Sequence, residues 1–213
     1  KIRARILNNV EAFGADSNGY GPNILSPHLA RTGRDTSAFL AHLGYPIQVY
    51  MLVGQAMALH DFGKADERTY SPQDWLTQER PDAELKARRD RHPELGREIF
   101  AKILTDMPRH IQRHPFFKEV VPQILAKHHV PDHNGAVIRA LTVVDTLDGD
   151  TQYRPHQSHQ RKPEEALARM MTHFKYKNMD KDLVGAYAWH KLDAEQYAAY
   201  QQHVQAGHEA EMT

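Results

Sequence analysis

"MALHDFGKAD", residues 57–66, sets His60 beside Asp61 at the end of an apolar run, with Gly63 and Lys64 directly after. Two ionisable neighbours at a position that the pattern assigns to the interior are costly unless they are paired or hold a metal. Their partners must come from elsewhere in the chain.

The run that leads into this stretch, Ile47–His60, carries Val49, Met51, Leu52, Val53, Ala56, Met57 and Leu59. A helix without a polar face is predicted to be a central one, and Gly63 is placed to end it. "GYP" at 44–46 separates it from a helix over about His28–Leu43, where Leu29, Thr32, Thr36, Phe39, Leu40 and Leu43 form a stripe. Before that, "ADSNGYGPNILSP" (15–27) reads as a loop and Ile2–Phe13 as a short helix. Residues 62–91 are polar and read as connecting chain with a turn at "SPQDW". Further helices are predicted from His92, with Pro93 in the first turn, over Phe116–His128, over Ala136–Leu147, from Pro163, and through the last twenty residues. No strand alternation interrupts them, so the fold class is all-α.

Composition excludes several alternatives. The chain has 213 residues, 40% hydrophobic and 25% charged, as expected of a soluble globular domain. Zero net charge argues against a general nucleic-acid surface, and no stretch is long and apolar enough to span a membrane. The absence of cysteine removes disulfides, thiolate metal sites and a thiol nucleophile, and fits a reducing, cytoplasmic compartment. Lys1 in place of Met is compatible with either a piece of a longer protein or a trimmed chain.

Fifteen histidines are many for this length. Those at the ends of the apolar helices are His28, His60, His92, His128 and His129, joined by Asp61 and by Asp145 within "ALTVVDTLDGD". Imidazoles and carboxylates in this mixture suit two divalent ions, with Asp61 able to bridge them. A histidine-rich set favours iron or manganese over magnesium, and zinc also binds such donors. Asp148, three residues after Asp145, either orients a ligand from behind or caps the helix end.

The ordered motifs resemble the HD superfamily of metal-dependent phosphohydrolases, and most closely its HD-GYP branch. "HLARTGRDTSAFLAHLG" (28–44) is similar to the helix of the first ligand histidine, "ALHDFGK" (58–64) to the HD-x-GK motif, "RHPELGREI" (91–99) to the H-P-x-x-G helix and "KHH" (127–129) to the histidine pair. "VVDTLDGDTQYRP" (143–155), "PEEALARMM" and "MDKDLVGAYAW" resemble the segments that close the domain. The resemblance implies an HD-type helical bundle over 25–190 with a dinuclear metal centre, an N-terminal helix and loop over 1–24, and a C-terminal helical extension over 191–213. It implies His28, His60, Asp61, His92, His128, His129 and Asp145 as ligands. It also implies a hydroxide shared by the cations that attacks a phosphodiester, with a cyclic dinucleotide such as cyclic di-GMP as the expected substrate and Lys64 and Arg154 on the phosphate. An upstream sensor or receiver domain is the expected partner. Other readings are a di-iron oxygenase of the same superfamily and a binding or signalling module with weak turnover.

Two departures stand out. Val130 takes the place of a glutamate after the histidine pair, and the Gly-Tyr-Pro loop is replaced by "VPDHNGA" (130–136). Ile24 stands where some relatives place a glutamate for a third metal, so two cations are expected.

Overall fold

The computed structural model describes residues 21–66, 68–69, 82–152 and 160–211, and among these every regular element is helical. The predicted helix Ile2–Phe13 and the segment containing Arg154 lie outside the described residues. Helix α1 spans Gly21–His42 and α2 Ile47–Met57, followed by a 3-10 turn at Phe62–Ala65. Next come α3 (Ala83–Arg89), α4 (His92–Thr105), α5 (Arg109–Arg113), a π turn (Phe116–Val120) and α6 (Val121–Lys127). The chain closes with α7 (Ala136–Thr151), α8 (Pro163–Thr172), a 3-10 turn (Phe174–Tyr176), α9 (Lys181–Lys191) and α10 (Ala194–Glu211).

The central helix is α7. It buries Ile138, Ala140, Leu141, Val143, Val144 and Leu147 and touches α1, α8 and α9. This corrects the expectation that Ile47–His60 would be central. Helix α2 buries Val53, Gly54, Ala56 and Met57 but leaves Ile47 58% and Met51 48% exposed. The reason lies in the contact with α1. A Cβ on Gly33 would come within 2.8 Å of the Gly54 carbonyl oxygen, and one on Gly54 within 2.7 Å of that of Gly33. The two backbones therefore meet directly, so α2 commits one face to α1, with α6 a lesser neighbour, and leaves the Ile47–Met51 side uncovered by the described residues.

Several boundaries also differ from the sequence reading. Helix α1 begins at Gly21 and carries Pro27 inside it, so the second half of the expected 15–27 loop is helical. The polar 62–91 region contains α3, which opens on an N-cap in which Asp82 Oδ1 accepts the Leu85 N–H at 2.7 Å. The expected helix 116–128 is split, because Pro122 has no N–H to give the carbonyl four residues back and a wider turn precedes it. Gly44, at φ 82°, is the one described glycine in the left-handed region and makes the α1–α2 turn.

Gly63 is required for a different reason from the expected helix stop. A Cβ there would lie 2.0 Å from the His92 carbonyl oxygen and 2.7 Å from the Gly96 nitrogen. The 3-10 turn thus rests backbone to backbone on α4. At the far end, α10 packs along α8 with Gly207 over Thr172 and contributes Tyr200 to the common core.

Candidate metal centre

Helix ends deliver most of the polar cluster. Helix α2 stops at Met57, and His60 and Asp61 follow in a turn. Neighbours within a helix point about 100° apart; leaving the helix lets both side chains face one centre, with His60 Nε2 at 3.5 Å from Asp61 Oδ2. His92 opens α4, and His128 and His129 follow α6. His28 and Asp145 come from within α1 and α7.

All seven predicted ligands converge. Asp61 divides them: Oδ1 is 2.9 Å from His92 Nε2 and 3.4 Å from His128 Nε2. Its Oδ2 is 3.3 Å from His28 Nε2. Asp145 Oδ1 lies 3.1 Å from His60 Nε2 and 3.3 Å from His28 Nε2. His129 Nε2 approaches His92 Nε2 at 3.1 Å. Two groups result, Asp61 with His92, His128 and His129, and Asp61 with His28, His60 and Asp145; within each, one ligand atom from every member lies within 4.8 Å of the others.

The ring orientations show what the centre suits. Nδ1 of His60 faces the Met57 carbonyl at 2.7 Å, that of His92 the Arg89 carbonyl at 2.7 Å, and that of His128 the Leu125 carbonyl at 2.9 Å. A carbonyl only accepts, so each Nδ1 carries the proton and each Nε2 presents a lone pair to the centre. His92 and His128 bring those lone pairs within 3.4 Å of each other. Asp61 Oδ1, fully buried, receives no hydrogen bond of good geometry. A buried carboxylate oxygen ringed by imidazole lone pairs is the donor chemistry of a metal site, and these residues fit a metal ion.

The two carboxylates are held ionised. Burial opposes a charge on Asp61, but the Lys64 ammonium, foremost among its neighbours, holds its carboxyl well below the usual carboxylate range. Burial likewise opposes a charge on Asp145, and its contact with His28 helps to outweigh it. For His28, burial is overcome by Asp145, Asp148 and Asp61, which raise it to about 10. Burial lowers His60 and His92, consistent with neutral rings.

The remaining candidates fall as follows. Lys64, with only 15% of its side chain exposed, is folded back onto Asp61 Oδ2 as an ion pair. Asp148 stands behind His28 and accepts from its Nδ1 at 2.7 Å, so it orients the ring and does not cap the helix end. Arg154 lies outside the described residues. His129 is the exposed member, with 47% of its side chain accessible.

Two supports were not read from the sequence. Arg31 grips Asp148 at two points, Nε to Oδ1 at 2.6 Å and Nη2 to Oδ2 at 3.0 Å. Its spacing of three from His28 was the available signal. The Thr142 hydroxyl donates to the His128 carbonyl at 2.8 Å. The loop after His129 is held by Arg139, which donates to the His133 carbonyl at 2.9 Å and to Asp180 Oδ2 at 2.8 Å.

The fold and the cluster define an all-helical protein with a buried His/Asp centre able to bind metal. No protein-family model matches the chain, and no curated protein matches it. No described helix is long and apolar enough to cross a membrane.

Proposed function

We propose that the chain is an HD-type, metal-dependent phosphodiesterase holding two divalent cations, iron or manganese by the softness of its donors, with zinc also accommodated. The observation that carries this reading is the division of Asp61, whose two oxygens face two different sets of histidines. Two cations bound there would supply Lewis acidity at a phosphoryl oxygen and a water ionised near neutral pH.

The chain's own residues do the rest. Asp61 would offer one oxygen to each cation. Asp145 supplies the negative charge that favours a cation on the His28–His60 side. His129, the most exposed donor, marks the side on which a substrate enters. Lys64, already within reach of Asp61, exchanges that contact for a phosphate oxygen. Arg154 follows the C-terminal end of α7 in sequence, and a guanidinium fork binds two phosphate oxygens at once.

Lys64→Ala and Arg154→Ala are expected to keep their metal and to lose about 1.5–3 kcal/mol of transition-state binding each, roughly tenfold to a hundredfold in rate. Metal analysis alongside kinetics checks this. Loss of metal in both variants would make these residues supports of the centre and not readers of substrate.

The substrate class follows from the loop 130–136. It lacks the Gly-Tyr-Pro turn and is pinned by Arg139 instead. It has no tyrosine ring to offer a base, His133 being its one aromatic ring, while the donors come from helices and turns outside it. The protein is therefore expected to cleave a simple aryl phosphodiester at least as readily as cyclic di-GMP. The test is kcat/KM for both substrates on iron- and manganese-loaded protein. A preference of about a hundredfold for cyclic di-GMP, about 2.7 kcal/mol, would show that nucleotide recognition does not need the missing motif. Full metal loading with no hydrolysis of either substrate would overturn the phosphodiesterase reading in favour of an oxygenase or a binding module.

A further inference from the structure

Three of the buried histidines take their Nδ1 partner from a nearby backbone. His60, His92 and His128 each sit where a helix ends or begins, and each finds a carbonyl three residues back. Helix ends leave carbonyls outside the regular ladder, so these acceptors come with the fold. His28 differs. It lies inside α1, where the carbonyls are engaged in helical hydrogen bonds. Its Nδ1 therefore depends on a side chain from another helix, Asp148 of α7, at 2.7 Å.

Asp148 is in turn not left to rotate. Both its oxygens are held by Arg31, at 2.6 and 3.0 Å, and a two-point guanidinium grip fixes the plane of a carboxylate. The register is simple. Arg31 stands three residues after His28 on α1, and Asp148 three residues after Asp145 on α7. Residues three apart share a helix face, so the His28–Arg31 face of one helix meets the Asp145–Asp148 face of the other. His28 belongs to the group with His60, Asp61 and Asp145 and not to the group with His92, His128 and His129.

We propose that Arg31 is a positioning residue that acts through Asp148 on His28 and so sets the affinity of one cation position while leaving the other alone. The inference rests on the two-cation reading above. The asymmetry follows from where the anchors come from: backbone carbonyls hold His92 and His128 at one position and His60 at the other, and of these ligands His28 alone relies on a removable side-chain pair.

The experiment is a titration of metal-free protein with Mn2+, counting events by calorimetry and by the spectrum of free Mn2+. The wild-type chain is expected to show two events, one of which His28→Ala removes. Arg31→Ala is expected to weaken that same event by about ten- to a hundredfold, the size of effect found for residues behind a metal ligand, and to leave the other within about threefold. Arg31→Lys keeps the charge without the two-point grip and is expected to fall between the two; it decides the matter if the alanine variant does not fold. Two events unchanged in the Arg31 variants, or both weakened alike, would overturn the proposal, as would a wild-type chain that binds fewer than two Mn2+. Two Mn2+ bound without phosphodiester hydrolysis would sink the catalytic reading and leave this one standing.

Discussion

Asp61→Ala is expected, on the two-cation phosphodiesterase reading proposed above, to lose both metal ions and all metal-dependent hydrolysis in one step. Both positions draw on this carboxylate, Oδ1 beside His92 and His128 and Oδ2 beside His28 and His60, so its removal takes a charged donor from each. Asp61→Asn sharpens the result. The amide keeps the shape and one acceptor oxygen but no charge, and is expected to retain one metal at most. Thermal unfolding provides a second readout. A ligand that binds only the folded state at about a hundred times its Kd stabilises by about 2.7 kcal/mol. Mn2+ should therefore raise the Tm of the wild-type chain and leave that of Asp61→Ala unmoved. A variant that keeps two metals and its full rate would remove the bridging role.

Gly63→Ala is expected to be the most damaging single-methyl change. The new Cβ would stand 2.0 Å from the His92 carbonyl oxygen and 2.7 Å from the Gly96 nitrogen. Both obstacles are backbone, so no side chain can turn aside. Overpacking of this kind costs about 1–3 kcal/mol or more, and relief requires α4 to back away from the 3-10 turn. That movement carries His92 away from Asp61, whose Oδ1 it meets at 2.9 Å. The variant should thus lose thermal stability and the metal position served by His92, His128 and His129 together. Gly185→Ala is the control: inside α9 a Cβ meets nothing within 4 Å, and alanine there is expected to stabilise by about 0.5–1 kcal/mol. A Gly63→Ala chain with wild-type Tm and full metal content would show that the α4 contact is not rigid.

The helical class and the identity of the polar cluster were legible in the linear chain, because each rests on local chemistry. Apolar residues at helical spacing need a core, and ionisable residues at the ends of those runs need partners. His60 and Asp61, Asp145 among Leu and Val residues, and the pair His128–His129 each carry that signal alone. Gly44 and Pro163 likewise mark a turn and a helix start by conformational preferences that belong to the residue.

What only the tertiary structure decided depends on the direction and distance between helices, which no local pattern contains. Helix α2 is apolar on almost every side yet lies at the surface, since Gly33 and Gly54 commit one face of it to α1 while Ile47 and Met51 stay exposed beside Gln48 and Gln55. Gly63 looks like a helix stop in the sequence and is instead the point where two backbones touch. Arg31 is an ordinary helix-surface residue until α7 brings Asp148 within 2.6 Å of it. The division of Asp61 between two groups is of the same kind. Adjacent residues in a helix diverge, and it is the ending of α2 at Met57, with α4, α6 and α7 arriving from distant parts of the chain, that turns His60 and Asp61 toward one shared centre.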